Sequence, residues 1–233
     1  MCGRYASARS VDDITGAFGI ARNDVDDTLP DADWNVAPTK QVPAVVRRDG
    51  RPALTALRWG LVPSWADDPS IGPRMINARL ETAWEKPAFR PALEARRCLI
   101  PADGWYEWAT RPDGTRQPYY LTPDDGALLA FAGLWEVWRD AEGRPLPTAT
   151  ILTGPAPADL RDLHDRAPVV LPASSWPGWL DRDSPMDDVR RLLQPTSPGV
   201  VSARPVSEAV GDVRVNGPQL VEPVTVAEQP PLF

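Results

Sequence analysis

Proline constrains this chain more than any other residue. There are 28 prolines in 233 residues, and each fixes φ and removes a backbone donor. Long helices are therefore excluded, and short elements separated by many turns are expected. The length suits one large domain or two small ones and is ample for a hydrophobic core. No apolar run approaches the roughly 18 residues that span a bilayer, and the polar first twenty residues carry no signal-peptide pattern. The reading is a cytoplasmic protein with no membrane partner.

The pattern between the turns is mostly that of strands. Ser10 caps a short helix through Phe18, with Asp12 and Asp13 at its amino end. Residues 42–48 and 52–59 read as strands joined at Asp49-Gly50, and residues 62–74 as an irregular loop. A helix is expected over 87–97 and a short strand over 98–101. Alternating or apolar runs at 104–109, 118–121, 128–138 and 148–153 predict further strands, with hairpin turns at Asp113-Gly114 and Glu142-Gly143. Residues 158–163 and 185–193 read as helices, and 169–171 and 200–206 as strands. The sum is a single α+β domain over residues 1–223. It has a curved, mostly antiparallel sheet or barrel-like core with peripheral short helices, and a loose tail over 224–233.

Two cysteines and one histidine are too few for a disulfide framework or an ordinary structural zinc site. No metal and no cofactor are expected. A net charge of −7 and a pI near 4.8 weigh against a non-specific duplex binder. Any nucleic-acid contact must rest on locally clustered basic residues or on bonding. The ten tryptophans serve equally as buried anchors or as base-stacking platforms.

Cys2 stands out by position. A small residue after Met1 permits removal of the initiator, leaving a terminal residue that carries an amine beside a thiol. With ordinary pKa values of about 8 and about 8.5, both have a nucleophilic fraction near neutrality. Such a pair meets an aldehyde first as an imine and then closes a thiazolidine ring. His164 is the one group that exchanges protons near neutral pH without perturbation. Glu107, among the aromatics of Gly104-Trp105-Tyr106-Glu107-Trp108, becomes an acid–base group if it faces inward. Asn77 and Arg79, two apart, share a face of an extended strand; an amide there can orient a sugar and a guanidinium can hold a phosphate. Arg4 and Asn35 are further candidates for backbone contact, and Trp65 on the irregular loop for a wedge against stacked bases. Each residue alone also fits an ordinary structural role, as cap, core or surface group.

Taken in order, Met1-Cys2-Gly3-Arg4, Trp34-Asn35-Val36-Ala37-Pro38, residues 58–65, Ile76-Asn77-Ala78-Arg79-Leu80-Glu81-Thr82, Pro101-Ala102-Asp103-Gly104-Trp105-Tyr106-Glu107-Trp108, residues 163–168 and residues 205–213 resemble the SOS-response-associated peptidase family. The resemblance runs from residue 2 to about 223. It implies a protein that removes its own Met1 and links Cys2 covalently to abasic sites in single-stranded DNA, acting as a monomer. It further implies that Cys2 is the nucleophile and that Asn77 positions substrate. Glu107 then activates the amine and assists Met1 release, and His164 moves protons during sugar opening and reversal. Arg4, Asn35, Trp65 and Arg79 hold DNA. Pro87 stands where the family commonly has a basic residue, with Lys86 beside it. An imine at the sugar also acidifies the adjacent carbon, so weak strand cleavage is expected. The residues alone leave two other readings open: a cysteine peptidase acting on other proteins through Cys2, His164 and Glu107, and a reversible single-strand binding module.

Overall fold

The computed structural model describes residues 2–225, so the expected tail lies outside the described residues from 226 on. Proline has the predicted effect: the longest helix described has eight residues, whereas strands reach eleven. The elements are β1 (Tyr5–Ser7), α1 (Val11–Phe18), β2 (Asp33–Val36), β3 (Gln41–Arg48), β4 (Arg51–Trp59) and β5 (Asn77–Arg79). Next come α2 (Arg90–Ala95), β6 (Arg97–Ala102), β7 (Gly104–Thr110), β8 (Arg116–Thr122), β9 (Leu129–Arg139) and β10 (Pro145–Pro155). The chain continues through β11 (Arg166–Pro168), α3 (Trp176–Leu180), α4 (Met186–Leu192) and β12 (Ser202–Pro205). α1 begins where expected because the Ser10 hydroxyl accepts from the Asp13 N–H at 3.1 Å, and it stops at Gly19 in the left-handed region.

Five strands close on themselves. β4 pairs with β3, β3 with β6, β6 with β9 and β9 with β10, all antiparallel, and β10 returns to β4 in parallel register at Thr148 and Ala149. Closure removes the exposed edges that an open sheet would leave. β5 and β11 extend the barrel by pairing with β10. A second, wholly antiparallel sheet, in the order β12-β8-β7-β1-β2, lies against it. The expected α+β domain with a barrel-like, mostly antiparallel core is therefore present.

Strand alternation sorts the side chains into layers. One face of the barrel strands, with Val42, Ala44, Trp59, Ile100, Phe131 and Ile151, packs with Tyr5, Trp105 and Leu121 of the second sheet. Tyr5 meets the Trp59 and Phe131 rings edge-on at centroid distances of 5.2 and 5.9 Å. The other face of the barrel, with Val45, Leu54, Leu99 and Leu134, is covered by Ile14, Leu93, Trp179 and Val189 from the four helices. The second sheet's outer face, with Ala6, Tyr106 and Tyr120, is covered by Val206, Val210 and Leu220.

Several boundaries differ from expectation. The helix over 87–97 shrinks to α2, because Pro91 fits only its first turn and buried Arg97 already belongs to β6. Residues 158–163 give only a 3₁₀ turn at Ala158–Leu160. The strand expected at 169–171 lies earlier, at β11. Val170 makes a single bridge to Phe131, and the apolar run is buried as a crossing between β9 and β10. β1, β2 and α3 were not expected at all.

Candidate active site

β10 organises the site. Its residues 151–153 pair with β5, and its residues 153–155 pair with β11, so the Asn77 segment and the His164 segment lie on either side of one strand. A close backbone approach brings β5 there. Gly60 has φ 124°, and a Cβ on it would sit 2.6 Å from the Gly72 carbonyl oxygen. Only glycine permits the chain to pass so tightly between β4 and the following turns. The Trp59 indole then fixes the entry to β5, donating to the Ile76 carbonyl at 2.9 Å.

Asn77 reaches the beginning of the chain. Its Nδ2 donates to the Cys2 carbonyl at 2.7 Å, and its Oδ1 is buried with no hydrogen-bond partner. Such an atom is one a substrate donor can satisfy. Cys2 is fully buried in the layer that holds Tyr5 and Trp105. Glu107 shares the Trp105 face of β7 and lies close enough for its charge to act on the Cys2 thiol. Burial first, and the Glu107 charge second, push the thiol well above the ordinary cysteine range, while the Arg4 backbone N–H opposes this. Burial also pushes Glu107 up to about 7, where it takes up and releases protons near neutral pH.

His164 follows the 3₁₀ turn, with its N–H on the Leu160 carbonyl at 3.1 Å. Its Nδ1 accepts from the Arg166 N–H at 2.9 Å and lies 2.8 Å from Asp165 Oδ1. Burial lowers its proton affinity, against the pull of Asp165. A clamp invisible in the sequence joins this segment to β5: Arg166 donates to both Glu81 oxygens, at 2.6 and 2.9 Å, and to the Thr153 carbonyl. The pair is 85 residues apart in sequence, and nothing local signals it.

The four residues grouped as DNA contacts separate. Arg79 is exposed at the end of β5, and no hydrogen bond or ion pair engages its side chain among the described residues. Trp65 is 60% exposed on its loop. Arg4 and Asn35 instead face the layer covered by Val210. Asn35 is fully buried: its Nδ2 donates to the carbonyls of Val210, Asp212 and Val215 at 3.3, 3.0 and 2.8 Å. Arg4 donates to Asn35 Oδ1 at 2.6 Å and to the Val210 carbonyl at 2.7 Å. These two residues tie residues 210–215 to the sheet. Lys86 and Pro87 are both exposed. No group of three or more His, Cys, Asp or Glu that could hold a metal occurs among the described residues, and no described helix is long and apolar enough to cross a membrane. A cavity of about 550 Å³ lies near the β3–β4 turn, but three of its four arginines are committed: Arg47 to Asp181, Arg96 to Glu136, and Arg97 to four backbone carbonyls, while the fourth, exposed Arg182, lies 3.8 Å from Asp183.

Comparison with known proteins decides the family. Residues 1–213 match the SOS response associated peptidase (SRAP) family. The chain belongs to that family. It is 40% identical over 227 residues to the abasic site processing protein YoqW of Bacillus subtilis, covering 95% of this chain and 99% of that one. To YedK of Escherichia coli, which bears the same description, it is 33% identical over 235 residues, covering 96% of this chain and all of the other. To HMCES of Gallus gallus, also so described, it is 33% identical over 196 residues, 73% of this chain and 57% of that one. A crystal structure from Bacteroides thetaiotaomicron superposes with a TM-score of 0.82 at 22% identity, over 96% of this chain and 100% of its own, which speaks to the SRAP fold. A phage-related protein from Bordetella bronchiseptica gives 0.71 at 31% identity, over 89% and 95%.

Proposed function

We propose that this SRAP protein processes abasic sites in single-stranded DNA by bonding them covalently to Cys2 after release of Met1. The reading rests above all on the Asn77–Cys2 hydrogen bond of 2.7 Å, with Glu107 acting on the same residue. Three motifs far apart in sequence meet at one nucleophile. The description shared by its relatives supplies the substrate class.

The chemistry follows from the groups present. Freed of Met1, the Cys2 amine adds to the aldehyde carbon of the opened sugar, and loss of one water gives the imine. The thiol then adds to the imine carbon and its proton passes to nitrogen, closing the thiazolidine. The closing step moves the thiol proton, and Glu107, whose proton affinity burial raises, is suited to carry it. Asn77 holds the Cys2 carbonyl so that the amine keeps one orientation. Glu107 also assists the release of Met1. His164 moves protons as the sugar opens and as the link reverses, and the imine stage permits slow β-elimination. Arg79 and Trp65 engage the strand as phosphate contact and wedge.

The test is incubation with single-stranded DNA carrying one abasic site. A denaturation-resistant adduct is expected with wild type and none with Cys2→Ala. Equal adduct from both proteins refutes the reading.

A further inference from the structure

His164 is the chain's single histidine, and its Nδ1 has two neighbours with opposite requirements. The Arg166 N–H, 2.9 Å away, needs a lone pair on that nitrogen. The Asp165 carboxylate, 2.8 Å away, can only accept and needs a proton on it. One nitrogen satisfies one neighbour at a time. With the Arg166 N–H engaged, the ring proton of neutral His164 sits on Nε2. With Asp165 engaged, the proton sits on Nδ1 and Nε2 offers a lone pair.

We propose that Asp165 is a positioning residue that selects the His164 tautomer able to take a proton at Nε2, while the Arg166 N–H holds the opposite tautomer at rest. This rests on the reading of His164 as the proton carrier of abasic-site processing. The two neighbours differ in freedom. Arg166 is fixed by both Glu81 oxygens, by the Thr153 carbonyl and by its β11 register with Pro155. The Asp165 side chain is 85% exposed and can turn toward Nδ1 or away into water. The fixed donor sets the resting form and the turning carboxylate releases it.

The proton count closes. The Nδ1–H form takes a proton at Nε2 from the reacting sugar or amine, giving an imidazolium held by Asp165. It returns the same proton from Nε2 to the departing oxygen or nitrogen. The other charges acting on the ring are Arg166 and the positive amino end of the chain, both of which oppose protonation. Asp165 acts on Glu107 as well, raising its proton affinity while Arg116 lowers it. One side chain therefore biases both acid–base groups.

A single histidine makes the test direct. Ring ¹⁵N shifts report the tautomer, recorded across pH for wild type, Asp165→Asn and Asp165→Glu, beside the pH profile of adduct formation and reversal. Asp165→Asn is expected to move neutral His164 toward the Nε2–H form. It should also shift the histidine limb of the profile to lower pH by about half a unit, the scale of an exposed pair, with an unchanged melting temperature. Asp165→Glu is expected to restore both. Identical tautomer populations and limbs in wild type and Asp165→Asn overturn the proposal. Absence of adduct from wild type would instead refute the functional reading, and the ¹⁵N shifts would still decide the role of Asp165.

Discussion

Replacing Glu107 by glutamine is expected to stabilise the protein at pH 8 and to leave it unchanged at pH 4. An ordinary glutamate titrates near 4.5, and burial moves Glu107 up to about 7. Between those values the unfolded chain has released the proton and the folded chain still holds it. Folded stability therefore falls as pH rises through this window and levels off above pH 7. At about 1.4 kcal/mol per tenfold change in proton affinity, the charged carboxylate costs the native state about 3 kcal/mol above pH 7. Below pH 4.5 the protonated acid and the amide are near-isosteric and neutral, so the two proteins should agree. The assay is urea unfolding of wild type and Glu107→Gln at several pH values from 4 to 8. The difference should grow from about zero to about 3 kcal/mol, and the same variant should lose adduct formation. A gap that stays constant with pH would mean that Glu107 is not held protonated by burial, and the argument for its catalytic role would fail.

Asn35→Ala is expected to cost about 2 kcal/mol in chemical unfolding, since the Val215 carbonyl loses its donor while Arg4 and the Val210 and Asp212 carbonyls each lose one of their bonds; a change below about 0.5 kcal/mol would point to a surface role instead. Trp65→Ala and Arg79→Ala are expected to leave stability within about 0.5 kcal/mol. Trp65→Ala should raise the DNA concentration for half-maximal adduct about tenfold. Arg79→Ala should reduce the salt dependence of DNA capture by about one phosphate contact. Salt slopes identical to wild type would remove Arg79 from the interface.

What the sequence revealed was whatever has a local cause. The Ser10 cap, the Asp49-Gly50 turn and the long strands at 129–139 and 145–155 are written in turn chemistry and alternation. The proline count forbids the helices that would have competed. β1 and β2 escaped because three or four residues show no periodicity, and their pairing to β7 and to each other is non-local. A barrel-like core was expected, but not the parallel pairing that closes it, since β10 meets β4 at only two register positions. At the site, residue type and motif order singled out Cys2, Asn77, Glu107 and His164. Sequence alone gave no sign that Cys2 would be buried, that Arg4 and Asn35 would turn to the opposite layer, or that Glu81 would anchor Arg166. Each of these follows from which face of a strand meets which layer.

The most direct measurement is the mass of the amino-terminal peptide recovered from the DNA adduct after nuclease and protease digestion. A peptide beginning at Cys2 is expected, carrying the abasic sugar remnant with neither a free amine nor a free thiol. A remnant attached to any other residue, or an adduct whose peptide still begins at Met1, would contradict the role assigned to Cys2.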